Sequence, residues 1–78
     1  MRYDNDTCNK FAEECKAAGF EVEHYRGRFY WEGPAVRCEN VDYQTVCRAT
    51  SMPLQSDSMG LGIIMYPVRS GKLMEEAE

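Results

Sequence analysis

The sequence lacks the long apolar segments and paired metal-ligand motifs that would assign it to a class at once. No stretch approaches the roughly 20 apolar residues of a membrane-spanning helix, and the opening MRYDNDTCNKF has no apolar run typical of a secretory signal. The four cysteines and the single histidine contain no C-x-x-C pair and no other close ligand spacing of a structural zinc site. We therefore expect a cytoplasmic protein that spans no membrane and holds no metal or other cofactor.

Motifs for catalysis are also missing. We expect Cys8, Cys15, Cys38 and Cys47 to be free thiols, because cytosolic cysteines stay reduced and cysteine often fills small core positions. Whether they are ever oxidised or bind a metal is left open. No Ser or Cys nucleophile has a base at an informative spacing, and the stretch QSDSMGLG around Asp57 lacks the GxxxxGK[ST] phosphate-loop pattern. The sequence therefore predicts that the protein is not an enzyme.

The length and the net charge of the chain limit the number of domains and the class of partner that we expect. A chain of 78 residues fits one domain. This length is near the lower limit at which a hydrophobic core is stable without disulfides or a bound metal. Nine basic and thirteen acidic side chains give a formal net charge of −4, which repels a phosphate backbone. Another protein is therefore favoured over nucleic acid as the partner. Homodimerisation, which would enlarge a small core, is left open.

Two segments have helical periodicity. The apolar residues of DNDTCNKFAEECKAAGF recur at helical spacing, N-cap candidates precede them, and Gly19 lies where a helix ends, which predicts a helix over 6–18. A second helix is expected over 41–50, with Tyr43 and Val46 on its inward stripe. Short strands are expected at 35–38, at 51–55 on a sheet edge because of Pro53, and at 62–66 in the sheet interior. The segment 56–60 between the last two strands is expected to be a loop.

The aromatic stretch YRGRFYWEGP at 25–34 predicts a β-hairpin. Period-2 alternation on both sides of Arg26 and Gly27 indicates two strands joined by those two residues, and Gly33-Pro34 then ends the second strand. In that register Phe29 and Trp31 lie on the apolar face and are expected in the core. The opposite, polar face would carry Glu21, Glu23, Tyr25, Arg28, Tyr30 and Glu32, with Tyr25 opposite Arg28 as a cation–π pair.

The two halves of the chain match weakly at an offset of 32, which suggests an αββ repeat. Phe11 and Cys15 correspond to Tyr43 and Cys47. The predicted fold is a small α+β domain over residues 1–68, in which two helices pack on one face of a four- to five-stranded, mainly antiparallel sheet. Residues 69–78 are expected to form an acidic, disordered tail.

The open polar face of that sheet holds the candidate binding residues. Tyr, Trp and Arg are enriched at the centres of protein interfaces. The predicted partner-binding residues are Tyr25, Arg26, Arg28, Tyr30, Glu32 and Asp57. The sequence therefore predicts a protein-binding module, such as an adaptor, a regulatory subunit or an inhibitor. Three alternatives are left open: a solvated face stiffened by cross-strand pairs, a single-stranded nucleic-acid binder, and a small-ligand binder.

The strings GRFYWEGPAV and DSMGLGIIMYP resemble those of small bacterial proteins, notably cyanobacterial ones. The resemblance covers about residues 15–67. It implies a bacterial or phage cytoplasmic origin and carries no catalytic residue or partner to transfer.

Overall fold

A computed structural model describes residues 2–39, 42–60 and 62–74, and it shows a small α+β fold. The elements are β1 (Arg2–Tyr3), α1 (Asp6–Ala17), β2 (Glu23–Arg26), β3 (Glu32–Glu39), α2 (Tyr43–Ala49), β4 (Leu54–Met59), β5 (Gly62–Pro67) and β6 (Leu73–Met74). Four strands form an antiparallel sheet in the order β2-β3-β5-β4, and β1 pairs with β6 in a second, two-stranded sheet. The predicted fold class is confirmed.

Helix α1 begins and ends where its sequence predicts. The side-chain oxygen of Asn5 accepts hydrogen bonds from the backbone N–H groups of Thr7 at 2.8 Å and Cys8 at 3.2 Å, which satisfies two free donors of the first turn. The chain leaves the helix at Gly19, whose φ of +91° is accessible to glycine without strain. The apolar stripe of α1 is buried, and two of its residues, Phe11 and Cys15, pack against the sheet.

Both faces of the sheet carry buried side chains, but helices pack on only one of them among the described residues. On one face, both helices pack on the central strands and bury Phe11, Cys15, Val36, Val46 and Met65. On the other face, which we call the open face, no helix packs among the described residues. A smaller cluster lies there, formed by Trp31, Ala35, Ile64 and Tyr66 with Tyr25 at its margin.

The predicted hairpin forms, but its predicted register is wrong. Tyr25 pairs with Gly33 and Arg26 with Glu32, so the loop runs over 27–31 instead of being Arg26-Gly27. Tyr25 therefore does not face Arg28 across the strands. Gly33 and Pro34 lie inside β3 and do not break it.

The longer loop removes Phe29 from the core. Its side chain is exposed, contrary to the prediction, and Trp31 is buried on the open face instead of the helix face. The cause is the Trp31 side chain, which folds back over Gly33. A Cβ built on Gly33 would lie 3.0 Å from Cη2 of Trp31, so a larger residue there would crowd the indole and force it to shift.

The second half follows the predicted order with two corrections. Helix α2 buries Val46 as expected, but Tyr43 is exposed and not on an inward stripe; residue 41, in the predicted helix, lies outside the described residues. Strand β4 begins at Leu54, not at residue 51 as predicted, and it continues through the segment 56–59, which was expected to be loop. Strand β5 is central in the sheet, as its apolar run predicts.

Part of the segment after residue 68, which was predicted to be a disordered tail, is ordered. Lys72 donates its backbone N–H to the Asp4 carboxylate at 2.7 Å, and Leu73 pairs with Tyr3. These contacts order the segment up to residue 74, contrary to the prediction of disorder for that part. Residues 75–78 of the predicted tail lie outside the described residues.

The elements follow the order of two αββ units, α1-β2-β3 and α2-β4-β5, which join through the central pair β3 and β5. The sequence duplication behind this order stays a prediction. Neither helix of the described chain has the length or apolar character needed to span a membrane.

The two αββ units are expected to differ in how much their helices stabilise the fold. Phe11 is fully buried, whereas Tyr43, its counterpart at an offset of 32, is 46% exposed. We predict that Phe11→Ala lowers the free energy of unfolding by about 3–5 kcal/mol. Tyr43→Ala should change it by less than about 1 kcal/mol. Urea unfolding of both variants measures the difference, and equal losses would contradict this packing.

Candidate functional site

The loop between β2 and β3 closes with a tight turn at Arg28–Trp31, which we call the aromatic turn. The backbone N–H of Trp31 donates to the carbonyl of Arg28 at 3.1 Å, and Gly27 N–H donates to the carbonyl of Trp31 at 2.8 Å. The two central residues are left-handed, with φ of 57° at Phe29 and 61° at Tyr30. Turns of this kind strongly prefer Asn-Gly. Two aromatic residues there each cost about 1–3 kcal/mol.

The aromatic turn also displays both rings to solvent. Phe29 is 96% exposed and Tyr30 is 101% exposed, whereas the next most exposed large apolar residue in the described chain, Val68, reaches 53%. Neither ring stabilises the fold by burial. The turn therefore combines strained backbone with side chains that the core does not need.

Trp31 anchors the aromatic turn to the sheet. Its ring centroid lies 4.1 Å from that of Tyr66 and 6.4 Å from that of Tyr25, and the side chain is only 9% exposed. Its indole Nε1 is buried and has no hydrogen-bond partner, the one such side-chain nitrogen or oxygen in the described residues. An unsatisfied buried donor lowers the stability of a fold by about 1–3 kcal/mol. The Trp31 indole nitrogen therefore adds to the free energy that the strained turn already costs.

Asp57 organises the polar part of the open face. It lies on β4, not on a loop, and its Oδ2 accepts a hydrogen bond from the Tyr25 hydroxyl at 3.0 Å. Burial, and after it the nearby Asp57 carboxylate, raises the pKa of Tyr66 to about 12. The Asp57 carboxylate thus holds the Tyr25 hydroxyl by a hydrogen bond and acts on the hydroxyl of Tyr66, beside the indole of Trp31.

Glu32 has a different environment from the one predicted. It lies on the helix side of the sheet, where its Oε1 is 2.7 Å from His24 Nε2 and 3.3 Å from Arg26 Nε. The hydrogen bond with His24, followed by the charge of Arg26, lowers the pKa of Glu32. The His24 ring stacks on Tyr3 with 5.6 Å between the ring centroids. These contacts fasten the β2–β3 hairpin to the N-terminal strand.

Two grooves flank the aromatic turn. One, of about 720 Å³, is lined by Arg26, Gly27 and Glu32 together with the rings of the turn. The other, of about 350 Å³, lies between the turn and β4 and includes Gln55, Asp57 and Tyr66. The rings of Phe29 and Tyr30 line both grooves, so the turn forms a wall between them.

The six predicted binding residues all lie around the aromatic turn, although not on one face. Arg26 and Glu32 lie on the side of the larger groove, Tyr25 and Asp57 on the open face, and Arg28 and Tyr30 in the turn itself. Phe29 was missed because the alternating pattern assigned it to the core. The absence of Asn-Gly from the loop was the signal that the turn is unusual.

The described residues offer little for metal binding or thiol chemistry. They contain no group of three or more His, Cys, Asp or Glu that could hold a metal ion. Burial raises the pKa of Cys8 to about 11 and that of Cys15 to about 12, and it also raises that of Cys38. These three thiols therefore stay protonated at neutral pH and are poor nucleophiles.

Relaxing the aromatic turn should stabilise the protein. We predict that Phe29→Asn/Tyr30→Gly raises the free energy of unfolding by about 1–3 kcal/mol, because Asn and Gly tolerate left-handed backbone. The matched control Phe29→Ala/Tyr30→Ala removes the same rings but keeps the strain, so it should gain little. Urea unfolding measures both variants, and a loss of stability in the Asn-Gly variant would contradict the left-handed geometry.

The Glu32 contacts predict an acid-sensitive hairpin. Because its folded-state pKa lies below the ordinary value of 4.5, ionised Glu32 stabilises the fold above that pH, and this contribution is lost as pH falls through the lowered pKa. Glu32→Gln should therefore flatten the dependence of stability on pH in the acid range. Urea midpoints from neutral pH to about pH 3 measure this, with Glu13→Gln on the exposed side of α1 as control. An unchanged slope in Glu32→Gln would refute the assignment.

Comparison with known proteins leaves the site to be interpreted from its own geometry. No family model matches the chain, and neither the curated proteins nor the solved structures give a match. The resemblance of residues 15–67 to small bacterial proteins stays a prediction.

Proposed function

We propose that this protein is a binding module that contacts another protein through its aromatic turn. The proposal is based on three features that each lower the stability of the fold and that occur together in the aromatic turn: positive φ, exposed aromatic rings and an unpaired buried nitrogen. Phe29 and Tyr30 are the two non-glycine residues with positive φ in the described chain, and they are also its two most exposed large apolar side chains. Trp31, next to them, has the unpaired buried indole nitrogen. Such costs persist in folded proteins mainly where binding or catalysis needs them.

A partner surface can offset these costs. Burying an aromatic or large aliphatic side chain is worth about 1.5–3 kcal/mol, and two adjacent rings on one turn can enter one apolar pocket together. The hydrogen bonds of the turn and the packing of Trp31 hold the backbone in place before binding. Less conformational entropy is therefore lost on association.

The residues around the rings suit a protein interface. Arg28 lies in the turn, and Arg26 lies beside it with its side chain 82% exposed. Tyr and Arg, with Trp, are the residues that contribute most affinity at protein interfaces. The flanking grooves would receive partner side chains on either side of the rings. A small adaptor, regulatory subunit or inhibitor in the cytoplasm fits this arrangement.

Single-stranded nucleic acid is the second candidate. Two exposed rings flanked by Arg26 and Arg28 could stack on unpaired bases. Glu32 and Asp57 line the grooves beside the same turn, however, and the chain has a net charge of −4, which disfavours a phosphate backbone. The acidic surroundings are the reason for preferring a protein partner.

Catalysis has less support. The Nε2 of His24, the single histidine, is engaged by Glu32 at 2.7 Å, and its Nδ1 lies 3.4 Å from the Tyr3 hydroxyl. His24 therefore stabilises the hairpin through these contacts, and they do not place it beside a nucleophile in a groove.

The test compares partner binding with stability in the same variant. We predict that Phe29→Asn/Tyr30→Gly, although more stable, binds a partner captured from nuclease-treated lysate at least 30-fold more weakly than the wild type. This loss corresponds to about 2 kcal/mol, the size of a single interface hot spot. Titration of the purified partner by calorimetry measures the affinity.

Tyr43→Ala is the matched control, since Tyr43 is an exposed aromatic residue outside the aromatic turn. Its affinity should stay within about twofold of the wild type, as for residues away from a hot spot. Equal binding by the wild type and the Asn-Gly variant would refute the proposed function. A complex that disappears on nuclease treatment and weakens steeply with salt would favour the nucleic-acid candidate instead.

A further inference from the structure

The smaller groove beside the aromatic turn joins three kinds of recognition element. Arg28 and Tyr30 form its outer rim, Trp31 and Tyr66 its aromatic wall, and Asp57 on β4 its acidic wall. Its volume of about 350 Å³ suits one or two side chains of a partner and not a large cofactor.

Asp57 can accept more hydrogen bonds than it receives within the chain. A carboxylate offers about four lone-pair sites, and the hydroxyl of Tyr25 uses one of them. The carboxylate is half-buried among aromatic rings, where a charge acts more strongly than at an exposed position. Aromatic faces next to a carboxylate favour a cation.

Arg28 lies on the same groove and opposes a cation there. Its side chain is exposed and forms no hydrogen bond or ion pair with the described residues, although its charge acts on the hydroxyls of Tyr25 and Tyr66. Because solvent screens an exposed charge more than a half-buried one, we expect the charge of Asp57 to outweigh that of Arg28 for a ligand inside the groove. The net charge of −4 acts in the same direction over a longer range.

Strand β4 supplies a second, independent feature. It is the last strand of the sheet, it pairs with β5 alone, and no other described residue hydrogen-bonds its outer backbone groups. Edge strands are usually protected by charge, shortness or a bulge. The opposite edge, β2, has four residues, and Glu23 and Arg26 on it form ion pairs. Strand β4 has six residues, with Gln55, Ser56 and Ser58 exposed and Asp57 as its only charge.

We propose that β4 and the adjacent groove bind an extended segment of the partner protein, whose main chain continues the sheet and whose Lys or Arg side chain reaches Asp57. The segment would pair with the free edge of β4, as in other cases of strand addition. Side chains alternate between the faces of a strand, so those on the open face of the added strand point towards the groove. This inference rests on the proposed function, since it names the segment of the partner that binds beside the aromatic turn.

The test uses a display library of random linear dodecapeptides and the full chain as bait. We expect selection to enrich peptides with Lys or Arg between β-prone residues, and binding to perturb the β4 amide signals and the indole N–H signal of Trp31, the single tryptophan, in NMR spectra. Replacing the selected arginine by citrulline, its neutral isostere, should weaken binding about tenfold, as expected for one charge-assisted contact.

Asp57→Asn keeps an acceptor for the Tyr25 hydroxyl but removes the charge. In this variant the arginine and citrulline peptides should bind equally. The control is Asp42→Asn, which removes one charge at the exposed N-cap position of α2 and should preserve the tenfold difference. The citrulline comparison in the wild-type protein does not depend on the folding of any variant.

Several results would overturn this inference. They are the absence of enriched peptides, enrichment of acidic peptides, an arginine preference that survives Asp57→Asn, and shifts that fall outside β4 and the groove. A free protein that is a dimer with its β4 amides protected from exchange would show that a second copy occupies the edge. If one of these results occurs while the Asn-Gly turn variant still loses the captured partner, the inference fails and the proposed function stands. If that variant keeps the partner, the proposed function fails.

Discussion

The packing of Trp31 on Tyr66 determines how the binding region is built. With 4.1 Å between their ring centroids, the two rings cover the open face of a sheet that has no helix there among the described residues. Gly33 favours this packing, because a side chain at this position would crowd the indole. Once Trp31 is fixed there, the chain from Gly27 must reverse within four residues. The left-handed backbone of Phe29 and Tyr30 is the consequence.

The anchor and the displayed rings have opposite roles. Trp31 buries its large apolar surface and so holds the loop, whereas Phe29 and Tyr30 contribute no burial and strain the backbone. A loop selected only for folding would carry Asn and Gly at these two positions. Stability given up at specific residues is expected where a protein needs a rigid element for binding. The two roles together explain why three aromatic residues follow one another in the sequence.

Much of the fold could be predicted from sequence because its signals are local. The helical spacing of Phe11 and Cys15, the Asn5 cap and the apolar run of β5 each specify their own element. The hairpin register could not be predicted in the same way. Alternation in residues 28–32 is equally regular whether the loop has two or five residues, and the choice depends on the long-range contact between Trp31 and Tyr66.

The candidate site was predicted in part for the same reason. Tyr25, Arg26, Arg28, Tyr30, Glu32 and Asp57 were selected by residue type, and the structure places all six around the aromatic turn. Their faces followed from the wrong register, so Glu32 was assigned to the open face and Phe29 to the core. Asp57 was expected on a loop because Asp and Ser favour turns. Pairing with β5 overrides that local preference and places Asp57 beside Tyr25.

The binding region depends on Phe29 and Tyr30 being held left-handed with their rings in solvent. The most direct measurement is the amide to Hα cross-relaxation within each residue, by NMR of the free protein. Positive φ brings these two hydrogens close together, so we predict strong intraresidue signals at both positions and no contacts from either ring to Tyr66 or Ile64. Weak intraresidue signals would show that the two residues are not left-handed, and ring contacts to the sheet would show that the rings are not in solvent.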